Sequence, residues 1–199
     1  MIFESTAING LRRVIIERQE DERGSFARTF SREEFARLGL ASSFVQASSS
    51  RTLTAGTLRG MHIQLPPHGE AKLVRCVRGA IYDVVCDLRI GSASHLQHQS
   101  FRLHQDGNDA LYIPPGCAHG FQTLVDDVEV TYAISCAYEP EMAVGLRYDD
   151  PALGIAWPSP VTCISSKDLG WEYYRGASWR HAVRFEAATP DARAALAGC

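Results

Sequence analysis

The central part of this chain is a series of short runs with high β-propensity, each ended by glycine, proline or aspartate. The series extends from Ser43 to Leu146 and contains few segments long enough for a helix. In its clearest run, residues 128–136, apolar residues alternate with mostly polar ones. Because successive strand residues point to opposite faces, Tyr132 is predicted to face inward. We expect an all-β sandwich or barrel.

The composition fits a globular protein with one domain. The chain has 199 residues, of which 45% are hydrophobic and 22% are charged. Its formal net charge is -3 and its basic residues are scattered, which argues against a nucleic-acid partner. It contains no apolar run near the roughly 20 residues of a membrane helix, and no leader pattern at its start. With six cysteines and no CxxC pair, a cytoplasmic location is expected.

One short helix is predicted ahead of the strand-rich region. Residues Ser31 to Glu34 have capping-box spacing and precede an apolar turn that ends at Gly39. At the other end, the alanine-rich stretch from about 176 to 199 is expected to be a loosely structured or helical extension of the single domain 1–199.

The run from Leu58 to Gln64 and the residues after it carry the most suggestive chemistry. His62 could act as a base. Lys72 could stabilise an oxyanion, and a lysine buried at that position would need a partner. A hydrogen-bonded core histidine and a solvated lysine are the simpler alternatives. We expect the two groups on neighbouring strands, and strict alternation places His62 and Arg59 on opposite faces. Candidates for phosphate charge are Arg23, Arg59 and Lys167.

A second histidine, His119, follows the rigid turn Pro114–Gly116, a spacing that resembles the second motif of the cupin superfamily. That histidine often binds metal, but the first motif here lacks the second imidazole of H-x-H. A divalent-metal site made of His62, Glu70 and His119 stays open as an alternative. Asp83 is either a buried polar group or part of a wet strand face.

Taken together, these motifs resemble the dTDP-4-dehydrorhamnose 3,5-epimerase family, a set of cupin-fold, metal-free sugar-nucleotide epimerases. The resemblance implies a cupin-type β-sandwich, or jelly roll, with a few short peripheral helices and no cofactor. It runs from about Phe3 to Asp168 and is carried by the segments 21–26, 45–46, 56–62, 72–74, 87–92, 118–121, 138–140, 149–151 and 155–158.

The resemblance also implies roles for individual side chains. His62 matches the base that removes a proton beside a 4-keto group, and Asp168 matches the carboxylate that orients it. Tyr132 matches the acid on the opposite face of the sugar, while Lys72 and His119 match the groups around the ketone oxygen. The implied reaction is inversion of C3, C5 or both in a nucleotide-linked 4-keto-6-deoxyhexose.

For the nucleotide, the resemblance implies a homodimer with sites shared across the interface. Arg59 and Gln46 would contact the diphosphate from one subunit, whereas Arg23 and Phe26 would reach across from the partner. Tyr138 matches a position near the nucleotide or sugar.

Three residues depart from the family pattern. Arg28 and Ala143 stand where glutamate is usual, and Ser48 replaces an asparagine. Since these changes alter polar contacts to the ligand, they are expected to mark a different base, a different deoxysugar, or epimerisation at only one carbon. A non-catalytic sugar-nucleotide binder is a further alternative, although such a protein would not need the acid and the base.

Overall fold

The protein is an antiparallel β-sandwich in a computed structural model that describes residues 1–176 and the strand at 183–184. One sheet has six strands in the spatial order first, second, eleventh, seventh, thirteenth, fifth; the other has five, in the order tenth, eighth, twelfth, sixth, fourteenth. In chain order these strands are β1 (Ile2–Ser5), β2 (Arg12–Ile15), β3 (Arg18–Asp21), β4 (Gly24–Ala27), β5 (Gln46–Thr52), β6 (Leu58–Gln64), β7 (Lys72–Arg78), β8 (Ala80–Asp87), β9 (Arg89–Ile90), β10 (His98–His104), β11 (Asp109–Ile113), β12 (Cys117–Thr123), β13 (Val128–Ile134), β14 (Ala143–Gly145) and β15 (Val183–Arg184).

The smaller elements lie at the periphery of the sandwich. Strands β3 and β4 form a separate hairpin, and β15 pairs in parallel with β9. Helix α1 (Arg32–Arg37) begins at the cap Ser31, whose side chain accepts a hydrogen bond from the backbone of Glu34. Helix α2 (Ser166–Leu169) begins in the same way at Ser165.

The main core fills the space between the sheets. Val74 and Val130 enter it from the six-stranded sheet, and Val85 and Phe121 enter it from the five-stranded sheet. A second apolar cluster covers the outer face of the six-stranded sheet under Phe35 of α1. A third covers the outer face of the five-stranded sheet, where the segment after β14 packs against it. Both sheets are therefore covered by apolar contacts on both faces.

A β-bulge interrupts the pairing of β6 with β12. His62 pairs with His119 and Arg59 pairs with Phe121, so three steps along β6 correspond to two steps along β12. Gly60 lies inside the bulge with φ of +126°, and a Cβ there would come within 2.6 Å of the facing backbone. The bulge places Arg59 and His62 on the same face, and the prediction from strict alternation is wrong.

The all-β prediction is confirmed, as is the short capped helix. Two other expectations need correction. The sequence pattern gave no sign of the four strands that precede residue 43. In addition, β6 and β7 are consecutive in the chain but belong to opposed sheets, so His62 and Lys72 face each other across the sandwich instead of lying on neighbouring strands.

The predicted extension from about 176 to 199 lies outside the described residues, except for its first residue and the strand β15. Within the described part of the chain, the structure contains no helix that is long and apolar enough to span a membrane.

Candidate active site

A cavity of about 500 Å³ lies between the two sheets. Its walls come from β6, β12 and β14 on one side and from β5, β7 and β13 on the other, with α2 and the turn after it at the rim. Most of the residues that the sequence singled out line this cavity: Gln46, Ser48, Arg59, His62, Lys72, His119, Tyr132, Tyr138 and Lys167.

His62 is bound to a carboxylate. Its Nε2 lies 2.7 Å from Oδ1 of Asp168, and the imidazole is 44% exposed whereas the Asp168 side chain is only 6% exposed. Because an ionised carboxylate can only accept, Nε2 carries the proton and Nδ1 keeps its lone pair. The pair is thus an imidazole held in one tautomer by a buried aspartate, and these are the two residues that the family resemblance brings together.

Asp168 is held by α2 and by two further donors. Burial alone would raise its pKa, but hydrogen bonds from His62, the backbone of Gly60 and the indole of Trp171 outweigh burial and lower the pKa below its usual value. Gly60 N lies 3.2 Å from Oδ2, and Trp171 Nε1 lies 3.2 Å from Oδ1. The carboxylate is therefore charged at neutral pH. Trp171 also lines the cavity, although no motif or periodicity singles it out.

His119 has an aspartate of its own. Its Nε2 lies 2.8 Å from Oδ2 of Asp83, and both side chains are almost completely buried. Of the two alternatives for Asp83, a buried polar group or part of a wet strand face, the first is therefore correct. His119 and His62 are direct partners on adjacent strands, so two histidine–aspartate pairs stand side by side on one wall.

Tyr132 reaches the cavity from the opposite sheet, on the inner face that the sequence predicted. Its hydroxyl lies 3.2 Å from Oγ of Ser50, and its ring lies 6.3 Å from the imidazole of His119. Burial raises the pKa of Tyr132 to about 12. The phenol is therefore neutral at pH 7 and is available as a proton donor.

Lys72 is paired within the cavity wall. Its ammonium lies 2.9 Å from Oε1 of Glu70, and each of the two side chains is 12% exposed. The partner that a buried lysine requires is thus the glutamate two residues before it. Its position on β7 puts the ammonium on the same wall as Tyr132.

The remaining lining residues suit an anion with hydrogen-bonding groups. Arg59 donates Nε–H to Thr52 at 2.9 Å, and Lys167 adds a second cation at the rim. Oε1 of Gln46 is buried and has no hydrogen-bond partner among the described residues. Tyr138 is 55% exposed at the cavity mouth.

Three of the expected binding residues do not reach this cavity. Arg23 and Phe26 lie in the β3–β4 hairpin, where Phe26 is 70% exposed and Arg23 pairs with Asp21. Arg28 lines a separate, smaller pocket beside Phe26 and the N-terminus. Within one chain, these residues do not line the cavity that holds His62 and Tyr132.

The side chains considered for a metal site have other partners. His62 and His119 each face an aspartate, and Glu70 faces Lys72. In the part of the chain that the structure describes, no three or more His, Cys, Asp or Glu side chains are grouped as a metal ion would require.

A β-sandwich whose cavity carries a carboxylate-bound histidine on one wall and a buried phenol on the other defines a cupin-type epimerase, an isomerase that works by acid–base chemistry. Residues 5–175 match the sequence profile of the dTDP-4-dehydrorhamnose 3,5-epimerases. The chain belongs to the dTDP-4-dehydrorhamnose 3,5-epimerase family.

Its relatives include enzymes described as inverting two centres and enzymes described as inverting one. It is 39% identical to a dTDP-4-dehydrorhamnose 3,5-epimerase of Sinorhizobium fredii over 84% of this chain and 86% of that protein. It is 35% identical to a dTDP-4-dehydrorhamnose 3-epimerase of Streptomyces niveus, over 84% of this chain and 81% of the relative.

A similar solved structure is the dTDP-6-deoxy-D-glucose-3,5-epimerase of Legionella pneumophila in complex with dTDP-4-keto-L-rhamnose. Its TM-score to this chain is 0.87 at 31% identity, and the match covers 94% of this chain and 99% of the other.

Proposed function

We propose that this protein inverts C3, C5 or both in a dTDP-linked 4-keto-6-deoxyhexose, with His62 as the base and Tyr132 as the acid. The observation that carries the proposal is the placement of these two groups. His62 belongs to the five-stranded sheet and Tyr132 to the six-stranded sheet, and both line one cavity. A sugar ring between the sheets would present one face to each.

The first step is removal of a carbon-bound proton next to the ketone. Nδ1 of His62 takes the proton, and the electron pair of the C–H bond moves into the ring to make an enolate. His62 then becomes an imidazolium. Asp168 is buried and charged, and it stabilises this imidazolium through the 2.7 Å hydrogen bond from Nε2. The base therefore becomes cationic next to a fixed negative charge.

The second step returns a proton from the other sheet. The phenol of Tyr132 gives its proton to the same carbon on the opposite face, and the enolate returns to a ketone with inverted configuration. A single base would tend to return the proton to the face from which it came. Burial moves the pKa of Tyr132 further above neutral pH than that of an ordinary tyrosine, so the phenol enters the reaction with its proton in place.

Enolate charge collects on the ketone oxygen, and cationic or donating groups must meet it there. Lys72 and His119 line the cavity from opposite walls and are proposed for this role. Glu70 holds the ammonium of Lys72 in position before the substrate arrives. Asp83 takes the Nε2–H of His119, so His119 can donate to the ketone oxygen only from Nδ1, in its imidazolium form.

For the nucleotide end, we infer that Arg59 and Lys167 bind the diphosphate and that Gln46 and Tyr138 contact the nucleoside or sugar. The buried Oε1 of Gln46 is free to accept a hydrogen bond from the ligand, as judged from the described residues. Arg59 projects from the same wall as His62 because of the β6 bulge, which lets one ligand contact both.

We propose further that Arg23 and Phe26 complete the site of a partner subunit in a homodimer. The supporting observation is that Phe26 is exposed at the hairpin and does not line the cavity of its own chain. Mixing two inactive variants, His62→Ala and Arg23→Ala, tests this directly. A shared site predicts recovery of about a quarter of wild-type activity after subunit exchange, since half of the dimers are mixed and each has one intact site. No recovery by a mixture that has exchanged subunits would contradict the shared site.

Two of the three residues that depart from the family pattern lie where they can contact the ligand directly. Ser48 and Ala143 both line the cavity, so the asparagine and glutamate that are usual there would have offered longer polar side chains. Arg28 lies outside the cavity of its own chain, so its effect on nucleotide preference depends on the proposed dimer.

The test of the function is solvent exchange in heavy water. Wild-type protein is incubated with dTDP-, UDP-, CDP- and GDP-linked 4-keto-6-deoxyhexoses, and deuterium at C3 and C5 is followed by proton NMR. Deuterium at either carbon with an inverted product supports the proposal. Tight binding without exchange for every substrate would favour a non-catalytic binder, and exchange that disappears with a chelator and returns with a divalent ion would favour a metal enzyme.

A further inference from the structure

Trp171 makes a contact that the reaction described above does not use. Its indole Nε1–H donates to Oδ1 of Asp168 at 3.2 Å, and the same oxygen accepts the 2.7 Å hydrogen bond from His62. On the basis of the proposed function, we propose that Trp171 is a positioning residue that sets how readily His62 takes a proton by sharing this carboxylate oxygen.

The indole lies in a slot built for it. Gly145 of β14 pairs with His62, and a Cβ at Gly145 would lie 2.5 Å from Nε1 of Trp171. A side chain at that position would push the indole away from Asp168. On the ring itself, the ammonium of Lys167 lies 5.4 Å from the centroid, within the range of a cation–π contact. The ring is therefore held by its neighbours on α2 and on β14.

The contact acts through the charge of Asp168. A carboxylate that accepts an additional N–H has its negative charge more fully dispersed, so it stabilises an adjacent imidazolium less strongly. Removing the indole N–H leaves more of that charge to His62, which then holds its proton at higher pH. Since a protonated histidine cannot accept a proton from carbon, the acidic limb of the pH–rate profile should move upward.

Other charged and titratable groups also face this part of the cavity, and they are the same in the wild type and in each variant below. From the elements packed around His62 these groups are Arg59, Glu70, Lys72, His119, Tyr132, Tyr138 and Lys167. A shift confined to variants that lack the N–H cannot be attributed to them.

Two substitutions separate the N–H from the ring. Trp171→Phe keeps an aromatic ring but has no donor, whereas Trp171→Gln has an amide N–H at a similar reach but no ring. Trp157→Phe is the matched control, because Trp157 Nε1 donates to the backbone of Tyr148 and does not line the cavity. The measurement is the rate of deuterium incorporation into the dTDP-linked 4-keto-6-deoxyhexose from heavy water over a series of pD values, with kcat and KM determined at each.

For Trp171→Phe, the midpoint of the acidic limb should rise by about 0.5–1 pH unit, with a three- to ten-fold loss of kcat on that limb and little loss on the plateau. Trp171→Gln and Trp157→Phe should keep the wild-type midpoint. KM should change little in the phenylalanine variant, since the lost contact is to Asp168 and not to the ligand.

A wild-type midpoint in folded Trp171→Phe, or the same shift in Trp171→Gln, overturns the proposal, because the N–H would then not be responsible. Circular dichroism and thermal melts establish folding, and Trp171→Leu replaces the phenylalanine variant if that one does not fold. Failure of the proposed function itself is distinct, because wild-type protein would then show no exchange at any pD.

Discussion

Asp168→Asn changes the histidine base with almost no change in shape. The carboxylate accepts His62 and Trp171 on Oδ1 and the backbone N–H of Gly60 on Oδ2. An amide has only one accepting oxygen. If that oxygen takes the place of Oδ1, the NH₂ group meets the N–H of Gly60, and two donors face each other. If it takes the place of Oδ2, His62 must accept at Nε2, which moves its proton to Nδ1 and removes the lone pair that serves as the base.

The cost in rate can be worked from these contacts. A hydrogen bond to a charged group contributes about 1.5–3 kcal/mol, and an unsatisfied buried donor costs about 1–3 kcal/mol. The imidazolium forms only as the reaction proceeds, so the loss of the charged hydrogen bond falls on the transition state and lowers kcat by about 10–10²-fold. The unsatisfied donor of Gly60 is present before and during the reaction, so its cost lowers the stability of the protein instead. Binding of dTDP should be unaffected, because Asp168 is assigned no contact with the nucleotide.

The assay follows deuterium at C3 and C5 by proton NMR together with calorimetric titration of dTDP. Asp168→Glu, which keeps the charge but displaces it, is the companion variant. A loss of less than ten-fold in Asp168→Asn, with normal dTDP binding, would show that His62 does not depend on this carboxylate and would refute the assignment of the pair as the base.

Other perturbations test the opposite wall and the core. Tyr132→Phe should reduce the rate of inversion at least about 10²-fold more than the rate of deuterium incorporation, because general acid catalysis contributes that much. The free energy of unfolding should change by no more than about 1 kcal/mol, because only the 3.2 Å contact with Ser50 is lost. Equal effects on both rates in NMR time courses would rule out Tyr132 as the acid. Lys72→Met should lower kcat about 10²-fold or more at similar KM. The double variant Lys72→Met/Glu70→Gln should regain thermal stability without regaining the rate. Recovery of the rate would mean that Lys72 only neutralises Glu70. Burial would raise the pKa of Asp87, but its hydrogen bonds, of which that from Arg89 is foremost, lower the pKa instead. Asp87→Asn should therefore reduce stability in urea unfolding by about 1.5–3 kcal/mol at pH 7, because the buried carboxylate loses its charge-assisted hydrogen bonds from Arg89. That deficit should begin to shrink below about pH 4, where this carboxyl takes up a proton in the unfolded chain, and should close as the pH falls through the lower pKa of folded Asp87. A deficit independent of pH would contradict the charge argument.

The fold class and the inward direction of Tyr132 could be predicted because both depend on local, two-residue periodicity. The capped helix at 32–37 was predictable for a similar reason, since its signal is contained in a few adjacent residues. Family motifs then named His62 and Asp168 together, although 106 positions separate them. No rule based on residue spacing could have predicted the contact between those two residues.

The remaining features depend on contacts that the sequence pattern does not encode. The β6 bulge breaks the alternation on which the Arg59 prediction rested, and its signal, Gly60 opposite another glycine on β12, becomes visible only when the pairing is known. Trp171 is a single aromatic residue in an irregular turn, so no periodicity marks it. It follows α2, which ends at Leu169, so helical spacing from Asp168 does not mark it either.

The proposed acid and the proposed base lie on different sheets, so no single loop or strand sets the distance between them. That gap is set by the thickness of the sandwich, about 10 Å between packed sheets, and hence by the size of core side chains such as Val74, Val130 and Phe121. The hydrophobic core thus acts as the spacer of the catalytic apparatus. A displacement of about 1 Å can lower a rate by about 10²-fold. A core substitution that leaves the protein folded can therefore still move His62 and Tyr132 out of reach of the same carbon atom, so activity depends on the volume of the core.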